Sequence, residues 1–169
     1  MPKLLKKKGP KTIEQIRNDI SIVYSQMIRN DGLLFFITIT KTKSPHAKDL
    51  NFCITNNLFN RVWKDYRKSM ETLNYLFVIE YPTAISKKDS SLDDLLRCDI
   101  HSHIVVNTTL SKSTLEYYLN TCFEFTDIQI QDITKRPDKA NLINYFKKQD
   151  YLEDCAYNYK VTIPGAFNH

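Results

Sequence analysis

The stretch from Asp99 to Thr108, DIHSHIVVNT, constrains this chain more than any other. Its β-branched content predicts a β-strand. Side chains alternate between faces along a strand, so His101 and His103 point the same way, with Asp99, Val105 and Asn107. Ile100, Ser102, Ile104 and Val106 take the other face, the natural core side. The imidazole pair thus sits on the more polar face of a strand otherwise built for burial. Two imidazoles held side by side on rigid backbone make half of a divalent-metal site. Two ordinary polar-face histidines would read the same way, so the pair takes its meaning from the rest of the chain.

Around this strand the pattern alternates helices and strands. Thr12 and Gln15 have capping-box spacing, and Ile13, Ile16, Ile20, Val23, Tyr24 and Met27 recur at helical spacing. A helix is predicted there, ending near Asn30-Asp31-Gly32. Leu33 to Thr40 (LLFFITIT) predicts a buried strand with Thr38 and Thr40 on one face. Residues 41–51 read as a polar loop with a proline. Thr55 to Asn74 predicts a helix with Leu58, Phe59, Val62, Trp63, Tyr66, Met70 and Leu73 as its core stripe. Tyr75 to Tyr81 predicts a strand stopped by Pro82, with Glu80 near its end, and an exposed loop leads into the histidine strand. Ser111 to Phe123 follows as a helix capped by Ser113 and Glu116. Thr126 to Ile133 alternates as a strand, with Ile128 and Ile130 inward and Asp127, Gln129 and Gln131 outward. A short helix from Pro137-Asp138 to about Gln149 and a last strand from Tyr159 to Ile163 complete the order. The fold class is α+β: an antiparallel β-sheet in a split β-α-β arrangement with helices on one face, which leaves the histidine face open.

The predicted helix at 138–149 places Asn141, Tyr145 and Lys148 on one side, at i, i+4 and i+7. Leu142, Ile143 and Phe146 supply its apolar stripe, so Tyr145 lies off the stripe's centre. A neutral phenol, with a reference pKa of ~10, is a poor nucleophile. An ammonium nearby favours the phenolate, and a metal-polarised phosphate is easier to attack. Tyr-x-x-Lys beside a metal is therefore a sensible phosphodiester-cleaving pair. The pattern recurs at Tyr157 and Lys160, but in a strand-like tail where residues three apart face opposite sides.

Composition limits the remaining choices. A chain of 169 residues, 42% hydrophobic and 25% charged, suits one domain with a real core, predicted over 12–169. No apolar run approaches the ~20 residues of a membrane helix, and no signal-peptide core follows the N-terminus. The four cysteines (Cys53, Cys98, Cys122 and Cys155) form no CxxC pair and read as reduced thiols of a cytoplasmic protein. The glycines, three in all, build no phosphate loop, which excludes a Walker-type nucleotide site. Residues 1–11 read as a flexible basic arm carrying Lys3, Lys6, Lys7, Lys8 and Lys11. Setting these aside leaves 19 of the 24 Lys and Arg against 19 Asp and Glu, a formally neutral domain. A basic arm on a neutral body fits contact with nucleic acid, and fits a solvated tail as well.

An apolar strand such as LFFITIT, then a His-x-His strand, then a helical Tyr-x-x-Lys, in that order, resembles the HUH endonucleases. Residues 33–150 look most like the single-tyrosine initiators of rolling-circle replication in plasmids and small single-stranded DNA replicons. Relaxases of that superfamily usually place the tyrosine before the histidines. The resemblance implies an RRM- or ferredoxin-like endonuclease domain with His101 and His103 as ligands of Mn²⁺ or Mg²⁺, Tyr145 as nucleophile and Lys148 one turn after it. It also implies a third polar ligand, for which Glu80 is the candidate and Asp99 and Gln129 are alternatives. Ser102 departs from the bulky apolar residue usual between the histidines. The implied substrate is single-stranded DNA at a replication origin, linear or hairpin, on the open sheet face. Thr38, Thr40, Asn141, Lys41, Lys43 and the arm would contact it, and host replication proteins would be further partners, with no membrane involved. Two other readings remain at this point: an RRM-like module that binds single-stranded nucleic acid without cutting it, and a scaffold with incidental histidines.

Overall fold

The computed structural model describes residues 11–40, 46–69, 72–80, 100–123, 127–148 and 156–161. Lys41, Lys43, Met70, the loop before the histidine strand, Asp99, Gln149, Tyr151, residues 162–163 of the expected last strand and residues 1–10 of the arm lie outside them.

Among the described residues five antiparallel strands form one sheet in the order β4-β1-β3-β2-β5. β1 is Leu33–Thr40, β2 Leu73–Glu80, β3 His101–Thr108, β4 Asp127–Asp132 and β5 Tyr157–Lys160. The histidine strand is central, between β1 and β2. Its neighbours are LLFFITIT and LNYLFVIE, the two most apolar strands, and burial on both faces explains their near-continuous hydrophobic runs.

The α+β class and the antiparallel sheet are as expected, but the helices do not keep to one face. One face carries Phe35, Ile37, Ile39, Tyr75, Phe77, Ile79, Ile104 and Val106 under a helical layer. That layer comprises a continuous helical run, α2 (Ala47–Phe52), a π-helical stretch (Cys53–Phe59) and α3 (Asn60–Tyr66), together with α4 (Lys112–Cys122). On the other face α1 (Ile13–Met27) lays Ile16, Ile20, Val23, Tyr24 and Met27 over Leu34, Phe36, Leu76, Val78 and Val105. Leu142 and Phe146, from the segment after β4, complete this second core. The expected open face is therefore closed over its apolar half. The end bearing Thr38, Thr40 and His101 keeps partial exposure, and Gln129 and Gln131 on β4 and Tyr159 on β5 are exposed.

Several local expectations change for identifiable reasons. Ala47, Leu50 and Ile54 are buried at helical spacing, so the segment read as a polar loop becomes the start of the α2–α3 run. That run stops at Tyr66, and Leu73 belongs to β2; Trp63, expected in the core stripe, is 41% exposed under Lys160. Ser111 rather than Ser113 caps α4, accepting from the Thr114 amide. The helix expected over 138–149 is a 3₁₀ turn, Lys139–Ile143, followed by one α-turn, α5 (Asn144–Lys147). The last strand begins at Tyr157 rather than Tyr159. By contrast, the Thr12–Gln15 capping box forms in both directions, at 3.2 and 2.9 Å.

The turn into β1 uses Gly32 at φ +101°, which a side chain would strain. Buried Asn107 fastens that turn by donating to the carbonyls of Asp31 and Leu33.

Candidate metal centre

Strand register assembles the site. Glu80 on β2 lies directly opposite His101 on β3, while His103 lies between Thr38 on β1 and Val78 on β2. Alternation places Glu80, His101, His103 and Thr38 on one face, at the end that α1 leaves uncovered. The ligand atoms of Glu80, His101 and His103 all fall within 4.8 Å of one another.

Glu80 is the hub. It is 1% exposed, and its Oε2 lies 2.7 Å from His101 Nε2, 3.3 Å from His103 Nε2 and 3.3 Å from Lys148 Nζ. Burial pushes its carboxyl pKa up. The His101 and His103 contacts and the Lys148 charge outweigh that and hold it at about 2. The carboxylate is therefore ionised through the physiological range. His103 is also approached by Thr38 Oγ1, 3.3 Å from Nδ1, and by the Phe36 ring, stacked at 5.7 Å. With Nδ1–H donating to Thr38, the Nε2 lone pair faces the carboxylate.

Two buried atoms of this cluster have no hydrogen-bond partner, Glu80 Oε1 and His103 Nε2; the 3.3 Å approach of His103 to Glu80 is too poorly aligned to count as one. Buried polar atoms left in this way are costly. Carboxylate oxygen and imidazole nitrogen converging on one point are the donor set of a divalent cation, so the residues fit a metal.

Tyr145 stands over this cluster. It is 47% exposed, its ring 5.6 Å from the His103 ring and 5.8 Å from that of Phe36. Phe146, its neighbour in α5, anchors the turn by packing against Phe36 and Tyr24. Lys148 follows one turn later, its Nζ 5.5 Å from the Tyr145 ring centre.

The fold thus gathers His101, His103, Glu80, Tyr145 and Lys148, the first and last of which, Glu80 and Lys148, are 68 positions apart in sequence. Asn141 is exposed in the 3₁₀ turn one turn before Tyr145. Thr40 pairs with Asp127, and Gln129 pairs with Thr38, so β1 separates Gln129 from the histidine strand. Tyr157 is buried in the second core on β5, its hydroxyl beside Asp19, and this removes it from competition with Tyr145. Ser102, the departure noted above, is buried with its hydroxyl donating to the Val78 carbonyl at 2.8 Å, so it sits in the core without an unmet polar group. Two contacts escaped the sequence: Thr38 against His103 and Lys148 against Glu80. Both depend on register or tertiary packing, which no local pattern reports.

No family model matches this chain, and no curated protein does. Among solved structures it is similar to the hypothetical protein ORF119 from Sulfolobus islandicus rod-shaped virus 1, at 18% identity and a TM-score of 0.42. The likeness covers 79% of this chain and 97% of that one. No helix among the described residues is long and apolar enough to cross a membrane.

Proposed function

We propose that this protein is a metal-dependent nickase and strand transferase for single-stranded DNA, of the rolling-circle initiator kind. The observation that carries the reading is one grouping: an exposed tyrosine and a lysine directly over a buried Glu-His-His cluster. A hydrolase that activates water needs no tyrosine there, and a structural metal site would be closed over rather than overhung by a phenol.

Glu80, His101 and His103 would hold Mn²⁺ or Mg²⁺. When bound, the cation would supply Lewis-acid polarisation of the scissile phosphate and stabilise charge developing on it. The Tyr145 oxygen attacks phosphorus in line as its proton passes to solvent water. The bond from phosphorus to the 3′ oxygen breaks, and that oxygen takes a proton from water and departs as a 3′-hydroxyl. The 5′ phosphate stays on Tyr145 as a phosphodiester, which stores the bond for rejoining. Lys148 places positive charge beside the phenol as it becomes an anion. Thr38 orients His103 through Nδ1. The free 3′-hydroxyl can prime synthesis, which would bring in host replication proteins. The strand would cross the uncovered end of the sheet near Thr38 and Thr40, with the arm, Lys41 and Lys43 adding backbone contacts.

The test is a denaturing gel of labelled single-stranded origin oligonucleotides incubated with the protein in Mn²⁺ or in EDTA. A cut that needs Mn²⁺ and yields a covalent protein–DNA adduct, lost in Tyr145→Phe, is the expected result. Binding without a cut in any divalent metal would overturn the nickase and favour a non-catalytic single-strand-binding module.

A further inference from the structure

Lys148 stands closer to the carboxylate than to the phenol it was expected to serve. Its Nζ lies 3.3 Å from Glu80 Oε2, while the Tyr145 ring centre is 5.5 Å away. The same oxygen already meets His101 Nε2 at 2.7 Å and His103 Nε2 at 3.3 Å. An ammonium and two imidazoles thus share one oxygen of the carboxylate whose other oxygen, Oε1, has no partner. A divalent cation and an ammonium at such range repel each other and compete for the same carboxylate. Between them Lys148 is the group that can move. Its side chain is 46% exposed, it follows the last residue of the single turn α5, and its four-carbon stem has several rotamers at small cost. Glu80, at 1%, is fixed in the sheet.

Building on the metal-dependent reading above, we infer that Lys148 is the counter-ion of Glu80 in the metal-free protein. Uptake of a divalent cation displaces its ammonium from the carboxylate toward the Tyr145 hydroxyl. The ion pair keeps the buried carboxylate compensated while the centre is empty. It also holds metal affinity down, because it must break for the cation to enter. The Tyr145 hydroxyl in turn gains a closer positive charge when the centre is loaded. Lys148 is then a positioning residue that links the loading of the centre to the readiness of the nucleophile.

Mn²⁺ binding to the whole chain, measured by isothermal titration calorimetry without DNA, tests this on wild type, Lys148→Met and Lys148→Arg. With the competing charge gone, Lys148→Met binds Mn²⁺ about tenfold more tightly than wild type. Lys148→Arg keeps the charge and keeps the weaker binding. In EDTA, Lys148→Met melts below wild type because Glu80 has lost its partner, and saturating Mn²⁺ closes that gap. Lys148→Gln repeats the comparison should the methionine variant fail to fold. Equal or weaker Mn²⁺ binding by the neutral variants overturns the inference and leaves the metal centre standing. No Mn²⁺ binding by folded wild type or folded neutral variants overturns the metal centre itself, and the inference with it.

Discussion

At the scale of single residues the cluster separates side chains placed to ligate a metal from side chains that only lie nearby. Glu80 is drawn into contact with both histidines, whereas Gln129 is separated from them by a strand. Glu80→Gln keeps the shape and removes the charge. It should weaken Mn²⁺ binding by well over tenfold, since loss even of an outer-shell partner commonly costs about 10–100-fold. Gln129→Ala should leave that binding unchanged; if the two variants behave alike in calorimetry, the ligand set is wrong. Thr38 makes a subtler case. It was expected to touch DNA, yet its hydroxyl lies 3.3 Å from His103 Nδ1. Thr38→Val is nearly isosteric and should weaken Mn²⁺ binding about tenfold by freeing the ring's orientation. Thr40→Val, two residues along the same face, should not, and equal effects of the two would return Thr38 to a DNA contact. The histidine pair was legible because a strand's period of two is local. Glu80 could only be a candidate from sequence, because the Glu80–His101 pairing is a matter of register across 21 residues.

At the scale of elements, α1 decides what kind of site this is. Its periodicity and cap were legible in the sequence, but the surface it covers was not, because a helical stripe states that it is buried and not against what. By closing the apolar half of the second face, α1 also gives the 139–148 segment something to rest on. Tyr24 donates its hydroxyl to the Lys139 carbonyl and packs on Phe146, one residue from Tyr145. That contact holds a 3₁₀ turn and a single α-turn in place beneath Tyr145, for neither would keep its shape alone. Burial raises the Tyr24 phenol to about 12. A raised pKa means the folded state favours the protonated form. The stabilisation is whole below the ordinary value of 10.0 and is lost as pH climbs toward about 12. Chemical denaturation between pH 9 and 12 should therefore show a loss approaching 3 kcal/mol, to an order of magnitude. Tyr24→Phe should remove the Tyr24 share of the alkaline loss and leave that of Tyr75, Tyr118 and Tyr157, whose phenols burial also raises, and a denaturation profile unchanged by that substitution would show that the hydroxyl does not hold the segment. In the core beneath, Ile20→Ala should cost about 2–5 kcal/mol by leaving a cavity between α1 and the sheet.

At the scale of the whole molecule, the two cores explain both what the sequence revealed and what it hid. Strands with continuous apolar runs, LLFFITIT and LNYLFVIE, already signal burial on both faces. Reading the histidine face as open therefore conflicted with its own neighbours. Four polar residues on that face, His101, His103, Glu80 and Thr38, collect at the end that α1 leaves uncovered, while Asn74 and Asn107 pair with each other at the other end. A site at the rim of a half-covered sheet has little surface of its own with which to grip a polymer, and the described domain offers few unpaired cations near it. Lys148 is engaged by Glu80, Lys147 donates to Ser21, and Lys11 is 2.5 Å from Asp19. Grip on a single strand should then fall largely to charges outside this framework, among them Lys3, Lys6, Lys7 and Lys8. Each phosphate neutralised on a single strand contributes about 0.7 to the slope of log affinity against log salt. Deleting residues 1–10 removes four lysines, so the slope measured by fluorescence anisotropy on a labelled oligonucleotide should shrink by up to about 3. Mn²⁺ affinity should stay as it was, since Glu80, His101 and His103 are untouched. An unchanged slope would mean that the strand is held by the sheet rim alone, and Lys41 and Lys43 would become the next residues to neutralise.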